Sequence, residues 1–211
     1  MLKFDPEAKR FFSIFLILAI FAILPGMKVG YFISGVFVFL AGFSLYFLRD
    51  PERVFLGDGS FVISPADGEV IIAENYEDDE GQKYNRIAIF MNILDVHINR
   101  APCKGEVSKL DYIKGGYKHA GSGAAFADNE RMKIYLNTPR GIVQVHQIAG
   151  MVARRVVCRL EKGQNLERGD KIGVIRFGSR VELLLPASET EILAKKGDKV
   201  KCGVSPVAKW M

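Results

Sequence analysis

The sequence contains few of the residues that build metal sites or disulfide frameworks. Only three of its 211 residues are cysteines and only three are histidines. Cys103, Cys158 and Cys202 are odd in number, lie far apart and form no Cys-x-x-Cys pair. This pattern argues against a structural zinc site and against a disulfide framework. We therefore expect three reduced, packed thiols and no metal centre.

The chain also lacks the signals of a nucleic-acid-binding protein. Its net charge is +5 and its pI is about 9.1, but it has no run of Lys and Arg and no basic motif interleaved with aromatic residues. Hydrophobic residues make up 49% of the chain, and their excess lies before residue 49. A membrane surface that carries anionic lipid therefore matches the positive charge better than nucleic acid does.

Two uncharged apolar runs lie in the N-terminal part. Phe11–Leu24 has fourteen residues and ends at Pro25-Gly26, and Val29–Leu48 has twenty. A twenty-residue helix is about 30 Å long and can cross a bilayer core, whereas fourteen residues reach about 21 Å, so the first run is a short span or a re-entrant or interfacial helix. No small-residue cleavage site follows the first run, which argues against a signal peptide. We expect a membrane-anchoring helical hairpin at residues 1–52.

Positive charges flank this hairpin unequally. Only Lys28 lies in its short connection, whereas five Lys and Arg residues flank its outer ends, namely Lys3, Lys9, Arg10, Arg49 and Arg53. The positive-inside rule then places both ends on the cytoplasmic side of the cell membrane. We expect the remaining domain, residues 53–211, on the cytoplasmic face beside the lipid headgroups.

From about residue 54 onward, short apolar runs alternate with Gly, Asp and Asn. These runs predict ten strands: Val62–Ile63, Glu69–Ala73, Arg86–Met91, Gly105–Ile113, Lys133–Asn137, Ile142–Ala149, Arg154–Arg159, Lys171–Ile175, Val181–Leu185 and Lys199–Cys202. Only Asp95–Ala101 and Ser188–Leu193 are expected to hold a helical turn. Such spacing is typical of a mainly β domain of the β-sandwich or barrel type, and not of alternating strands and helices.

The turns of this domain leave one non-catalytic alternative open. The segments Arg168–Ile172 and Lys196–Val200 form a weak repeat that resembles the turns of biotinyl and lipoyl carrier domains. A carrier needs a modifiable lysine at a hairpin tip, and the chain has no Met-Lys-Met or Asp-Lys-Ala tip. A membrane-anchored carrier or interaction protein is therefore the weaker hypothesis.

Three segments contain residues that suit catalysis. Ser179 follows Gly178 between two predicted strands, and its hydroxyl could attack the uncrowded glycine carbonyl, although a Gly-Ser hairpin turn is the simpler interpretation. Asp67 lies in Ser64–Gly68 at the entrance of a strand, where an Asp-Gly turn is the alternative. The third segment is Met91–Pro102, in which a carboxylate and a guanidinium flank His97 and can tune it for proton transfer.

In this order, behind a hydrophobic N-terminus, the three segments resemble the short type of phosphatidylserine decarboxylase proenzyme. The likeness covers nearly the whole chain and includes Phe47–Arg53, Asn129–Arg131 and Gln147–Gly150. It implies conversion of phosphatidylserine in the lipid bilayer to phosphatidylethanolamine and carbon dioxide. A decarboxylase of another serine-headed lipid is the nearest enzymatic alternative.

The resemblance also implies self-cleavage between Gly178 and Ser179. The serine attacks the glycine carbonyl, β-elimination divides the chain, and the large chain, 1–178, stays with the small chain, 179–211, as a heterodimer. The former Ser179 becomes a covalent pyruvoyl group, so no added cofactor or metal is implied. By the same resemblance, Asp67 and His97 assist self-cleavage and proton transfer.

Two positions depart from the family pattern. Arg180 follows the serine where many longer members have Thr or Ser, and Arg100 stands where many have a second histidine. Two hypotheses therefore remain open: His97 serves both cleavage and decarboxylation, or Arg100, with Asn99, binds the anionic substrate.

The other two histidines suit structural positions better. His146 lies in the apolar run Ile142–Ile148, which predicts a core or sheet position. His119 lies in the glycine-rich stretch 114–123. We expect that stretch, continuing to about residue 128, to form a lid or a lipid-facing flap over the site.

Overall fold

The computed structural model describes residues 3–78, 80–116, 129–150, 156–175 and 179–211. The chain divides into two compact units, Met1–Glu52 and Arg53–Met211. Strands account for 45% of the residues and helices for 20%. The predicted fold class, a mainly β protein with an N-terminal helical pair, is therefore confirmed.

The N-terminal unit is a pair of helices, α1 (Pro6–Ile23) and α2 (Lys28–Phe47). Asp5 caps α1 by accepting a hydrogen bond from the Glu7 N–H at 3.0 Å, and the chain reverses at Gly26, whose φ is 68°. The short strands β1 (Lys3–Phe4) and β2 (Arg49–Asp50) pair beside the helices. In the described chain, α2 is the one helix that is long and apolar enough to cross a membrane.

The C-terminal unit is built from antiparallel strands in three sheets. Their bounds are β3 (Phe61–Ile63), β4 (Gly68–Glu77), β5 (Lys83–Met91), β6 (Ile98–Arg100), β7 (Gly105–Ile113), β8 (Arg131–Thr138), β9 (Gly141–Ile148), β10 (Val156–Cys158), β11 (Asn165–Leu166), β12 (Lys171–Ile175), β13 (Ser179–Pro186), β14 (Thr190–Ile192), β15 (Lys199–Val200) and β16 (Pro206–Trp210). The main sheet has the order β11-β7-β8-β9-β13-β5-β4-β15 and curls into a half-barrel. Two smaller sheets have the orders β10-β12-β6 and β14-β16-β3.

The core of this unit lies on one face of the main sheet. Alternate residues of the central strands β5, β9 and β13 are completely buried there, among them Ile87, Ile89, Val145, Val181 and Leu183. Because side chains alternate across a strand, the residues between them lie on the other face. The opposite face of β13 carries Arg180 and Glu182, and both are buried as well.

The strand predictions are largely confirmed, whereas both predicted helical turns are wrong. The bounds of Gly105–Ile113 and Lys171–Ile175 agree with β7 and β12. Asp95–Ala101 instead contains β6, and Ser188–Leu193 contains β14. These three-residue strands form because β6 pairs with β12 and β14 pairs with β16, so their conformation depends on partners that are distant in sequence.

The hairpin-turn interpretation of Gly178-Ser179 is wrong. The strand before it, β12, pairs with β10 and β6, whereas the strand after it, β13, pairs with β5 and β9. The two strands therefore lie in different sheets and do not form the two arms of one hairpin. Gly178 itself lies outside the described residues.

Candidate active site

Ser179 is the first residue of β13, the strand between β5 and β9 in the main sheet. It pairs with Met91, the last residue of β5, and it is completely buried. Its Oγ forms no hydrogen bond among the described residues. A buried polar group without a partner costs about 1–3 kcal/mol, so such a group calls for a functional explanation.

His97 reaches the same end of the sheet because it follows Met91 through the loop Asn92–Val96. It is completely buried, and its Nδ1 lies 2.9 Å from the carbonyl oxygen of Asp95. A carbonyl oxygen only accepts hydrogen bonds, so Nδ1 carries a proton and donates a hydrogen bond to the Asp95 carbonyl. In the neutral ring, Nε2 is then the nitrogen that can take up a proton.

The backbone of His97 also holds the chain that leads to Ser179. Its carbonyl oxygen accepts a hydrogen bond from the Ile175 N–H at 3.4 Å. Ile175 is the last residue of β12 and precedes Ser179 by four positions. The His97 backbone is thus hydrogen-bonded to the end of β12, four residues before Ser179.

Two buried amides, which the sequence did not single out as a pair, lie on the core side near Ser179. Gln147 pairs with Val181, so it lies on the same face of the sheet as Ser179, two residues along. Its Nε2 donates to Asn99 Oδ1 at 2.8 Å, and Asn99 Nδ2 lies 3.5 Å from Met91 Sδ. The Oε1 of Gln147 is buried and has no partner among the described residues. The sequence signal that could have indicated this site is Gln147 itself, a polar residue inside the apolar run of β9.

Asp67 lies near this end of the sheet but on the far side of β5. Register pairs Glu69 with Phe90, and a Cβ on Gly68 would lie 2.0 Å from the Phe90 carbonyl oxygen. The turn therefore packs against the end of β5. Because adjacent strands are about 4.8 Å apart, its backbone is about 10 Å from that of Ser179.

The carboxylate of Asp67 is already bound by several donors. Arg53 forms a bidentate ion pair with it, in which Nη2 donates to Oδ2 at 2.8 Å. The Cys202 N–H donates to Oδ1 at 2.7 Å. These contacts occupy both carboxylate oxygens and hold the side chain in place, so they favour a positioning role over proton transfer.

Asn99 and Arg100 lie on opposite faces of β6. Asn99 is completely buried and contacts Gln147 on the core side, as described above. The guanidinium of Arg100 donates to the Gly169 carbonyl at 2.9 Å, and its backbone N–H donates to Pro65 at 3.1 Å. Of these two predicted substrate-binding residues, the described contacts direct Asn99 toward the neighbours of Ser179.

A buried ionic network lies on the opposite face of the sheet. Glu182 is completely buried and accepts from Arg86 at 3.1 and 3.2 Å. It also forms an ion pair with Arg180, which is only 1% exposed. Burial lowers the pKa of Arg180, and the charge of Glu182 opposes that shift. Arg180, the residue that departs from the family pattern, is thus a structural ion-pair partner inside the sheet.

His146 is buried in β9, on the face of the main sheet that carries Glu182 and not in the apolar core. It pairs with Glu182 and Lys133, and its Nε2 lies 3.0 Å from Gln144 Oε1. Burial, together with the positive charges of Lys133, Arg131 and Arg86, lowers its pKa to about 3. His146 is therefore neutral in the folded protein at neutral pH.

Several features lie away from Ser179 or outside the description. A groove of about 720 Å³, bordered by Lys104, Arg140 and Trp210, lies at the Thr138 end of β8, opposite to the Ser179 end. His119 lies outside the described residues, as do residues 117–128 of the expected lid at 114–128 and residues 151–155.

Comparison with known proteins identifies the family of this chain. The sequence model described as "Phosphatidylserine decarboxylase" matches residues 40–208. A relative from Pelagibacter ubique, named "Phosphatidylserine decarboxylase proenzyme", is 37% identical over 98% of this chain and 96% of its own length. A relative of the same name from Desulfotalea psychrophila is 43% identical over 80% of this chain and 79% of its own length. Another, from Geobacter metallireducens, is 40% identical over 89% of this chain and 87% of its own length. The chain belongs to the phosphatidylserine decarboxylase family.

Proposed function

We propose that this chain is a self-processing decarboxylase that converts phosphatidylserine to phosphatidylethanolamine and carbon dioxide. The observation that carries the proposal is that Ser179 is a buried serine without a described hydrogen-bond partner. It pairs with Met91, the residue from which the segment that contains His97 begins. The relatives are named proenzymes, which supports synthesis of this chain as a precursor. An anchored carrier or interaction protein has no need for such a buried hydroxyl.

Self-cleavage begins at the Ser179 hydroxyl. Its oxygen forms a bond to the Gly178 carbonyl carbon, the C–N bond breaks, and the nitrogen of Ser179 becomes a free amine. Loss of the α-proton of Ser179 then expels Gly178 as a carboxylate and leaves dehydroalanine. Water replaces the nitrogen, which departs as ammonia, and the small chain begins with a pyruvoyl group. The products are chains 1–178 and 179–211.

The surroundings of Ser179 fit such a group. A pyruvoyl unit keeps the three-carbon skeleton of serine and loses the hydroxyl oxygen, so it needs no more room than the buried side chain. Its ketone would supply, once joined to the substrate amine, the acceptor for the electron pair left when carbon dioxide departs, the task that pyridoxal phosphate performs in other enzymes. The unpartnered Oε1 of Gln147 lies on the same face of the sheet, where it is available to accept a hydrogen bond from the amine of a headgroup.

We assign proton transfer in self-cleavage to His97. Its Nδ1–H is fixed by the Asp95 carbonyl, so Nε2 is the basic position. The Ile175–His97 backbone hydrogen bond supports this assignment, because it holds the His97 backbone beside the end of β12, four residues before Ser179. Asp67, held by Arg53 and Cys202, acts as a positioning residue for the turn beside β5.

The two products are expected to remain associated as a heterodimer. The small chain would contain β13, β14, β15 and β16, and three of these strands pair with strands of the large chain. Both neighbours of β13 belong to the large chain. The buried Arg86–Glu182 ion pair would also join the two products.

We further propose that the enzyme is anchored in the cell membrane with its catalytic unit on the cytoplasmic face. The apolar helix Lys28–Phe47 supports the anchor, and the flanking Lys and Arg residues support the orientation. Residues 48–52 join this helix to the C-terminal unit. A diacyl lipid stays in the bilayer, so a tethered site needs to capture only the headgroup.

The direct test is a decarboxylation assay on the full chain in phosphatidylserine vesicles, with phosphatidylethanolamine measured by mass spectrometry. We expect turnover by the native chain and none by Ser179→Ala. Free serine, phosphoserine and vesicles of another serine-headed lipid separate the substrate classes. A processed chain that turns over only the other lipid, or no lipid, would contradict the proposal.

A further inference from the structure

An exposed aliphatic turn lies directly beside the candidate active site. It joins β5 to the His97 segment, and at its tip the side chains of Ile93 and Leu94 are 44% and 59% exposed. The turn begins one residue after Met91, the strand partner of Ser179. Two adjacent large aliphatic side chains thus project at the Ser179 end of the sheet.

Hydrogen bonds fix this turn in shape. The Asn92 N–H donates to Asp95 Oδ2 at 2.7 Å, and the Leu94 N–H donates to Asn92 Oδ1 at 3.3 Å. The Asp95 N–H donates to the Asn92 carbonyl at 2.9 Å. Asn92 and Asp95 therefore account for three backbone N–H groups of the turn, which lowers the cost of moving it into an apolar phase.

A second exposed apolar pair ends another strand at the same end of the main sheet. Tyr112 is 54% exposed and Ile113 is 39% exposed. Strand register connects Ile113 through β8 and β9 to Arg180 of β13, next to Ser179. The exposed residue Lys114 follows, which places a positive charge at this rim.

We propose that the Ile93-Leu94 turn inserts into the lipid bilayer and seats the Ser179 end of the C-terminal unit on the membrane surface. This inference rests on the proposed function, because a lipid substrate must enter the site beside the turn while its acyl chains stay in the bilayer. The composition also favours lipid over a protein partner, since protein hot spots are enriched in Trp, Tyr and Arg and poor in Leu. Lys114 complements an anionic surface.

The activity test compares Ile93→Gln/Leu94→Gln with Ile142→Gln. Ile142 is a matched control because it is 47% exposed and lies at the other end of β9. The double variant should have about tenfold lower kcat/KM on phosphatidylserine vesicles. Its turnover of monomeric short-chain phosphatidylserine should equal that of the native chain. An equal loss on both substrates, or no loss on vesicles, would overturn the proposal.

The position of the turn can be measured without catalysis. In a Trp210→Phe background, which removes the one native tryptophan, Leu94→Trp should be quenched by brominated lipids in reconstituted vesicles, whereas Ile142→Trp should not. Absence of quenching, or an emission shift that follows protein concentration and not lipid, would overturn docking and favour a second copy. This readout still decides the inference if the chain decarboxylates neither substrate.

Discussion

The strongest pH effect that the structure predicts for folding stability comes from His146. Its pKa falls from 6.5 to about 3 in the folded chain, mainly because the ring is buried in β9. Below about pH 6.5 the unfolded chain binds a proton at this ring and the folded chain does not, so stability falls as the pH falls. Between about pH 7.5 and about pH 5, this single group should lower the free energy of unfolding by about 2 kcal/mol.

The assay needs one covalent chain and a matched variant. We would unfold Ser179→Ala and Ser179→Ala/His146→Gln with urea in non-ionic detergent, at both pH values, and follow Trp210 fluorescence. Trp210 reports on the C-terminal unit because it lies in β16. All other ionisable groups are the same in both proteins, so the difference between the two pH dependences isolates His146. The same loss of stability in both proteins would refute the reasoning.

Three further substitutions test the site's framework. Glu182→Gln leaves two guanidinium groups without their buried carboxylate, and it should lower the free energy of unfolding by about 3–5 kcal/mol; a change below about 1 kcal/mol would contradict the network. Gly68→Ala places a Cβ 2.0 Å from the Phe90 carbonyl oxygen at a φ of 143°, so it should lower the urea midpoint. The control is Gly59→Ala, because Gly59 has open space around it. Equal urea midpoints for the two variants would contradict the packing. Asp67→Asn should slow self-cleavage, followed by gel electrophoresis, without moving its pH dependence; a shifted pH profile would show that this carboxylate transfers the proton.

The sequence predicted those parts of the fold that have local patterns. The bounds of β7 were predicted correctly from a stretch that interleaves Val107, Leu110, Tyr112 and Ile113 with polar residues. The bounds of β6 and β14 could not be predicted in this way, because three residues contain less than two periods of alternation and their pairing partners β12 and β16 are remote. The change of sheet between β12 and β13 was missed for the same reason, since local sequence cannot tell a hairpin from a change of sheet.

The candidate site shows the same division. The sequence motifs singled out Ser179, His97 and Asp67, but the contacts that separate their proposed roles come from tertiary structure. The pair Arg53–Asp67 joins two distant segments, and the amide pair Gln147–Asn99 depends on the register of β9 beside the smaller sheet.

Arg180 was the residue whose environment the sequence concealed most. Arginine side chains are mostly exposed in folded proteins, yet Arg180 is only 1% exposed. The reason is periodicity: Glu182 lies two residues further on the same face, and Arg86 reaches it from β5.

The most direct test of the central claim is the intact mass of the purified full chain beside Ser179→Ala. The account predicts two chains that meet between residues 178 and 179. The mass of the small chain should be lower by one ammonia than that of the chain that simple hydrolysis would give, and it should have no free amino terminus. The variant should stay whole. A single full-length mass in both samples, or a small chain that begins with an intact serine, would contradict it.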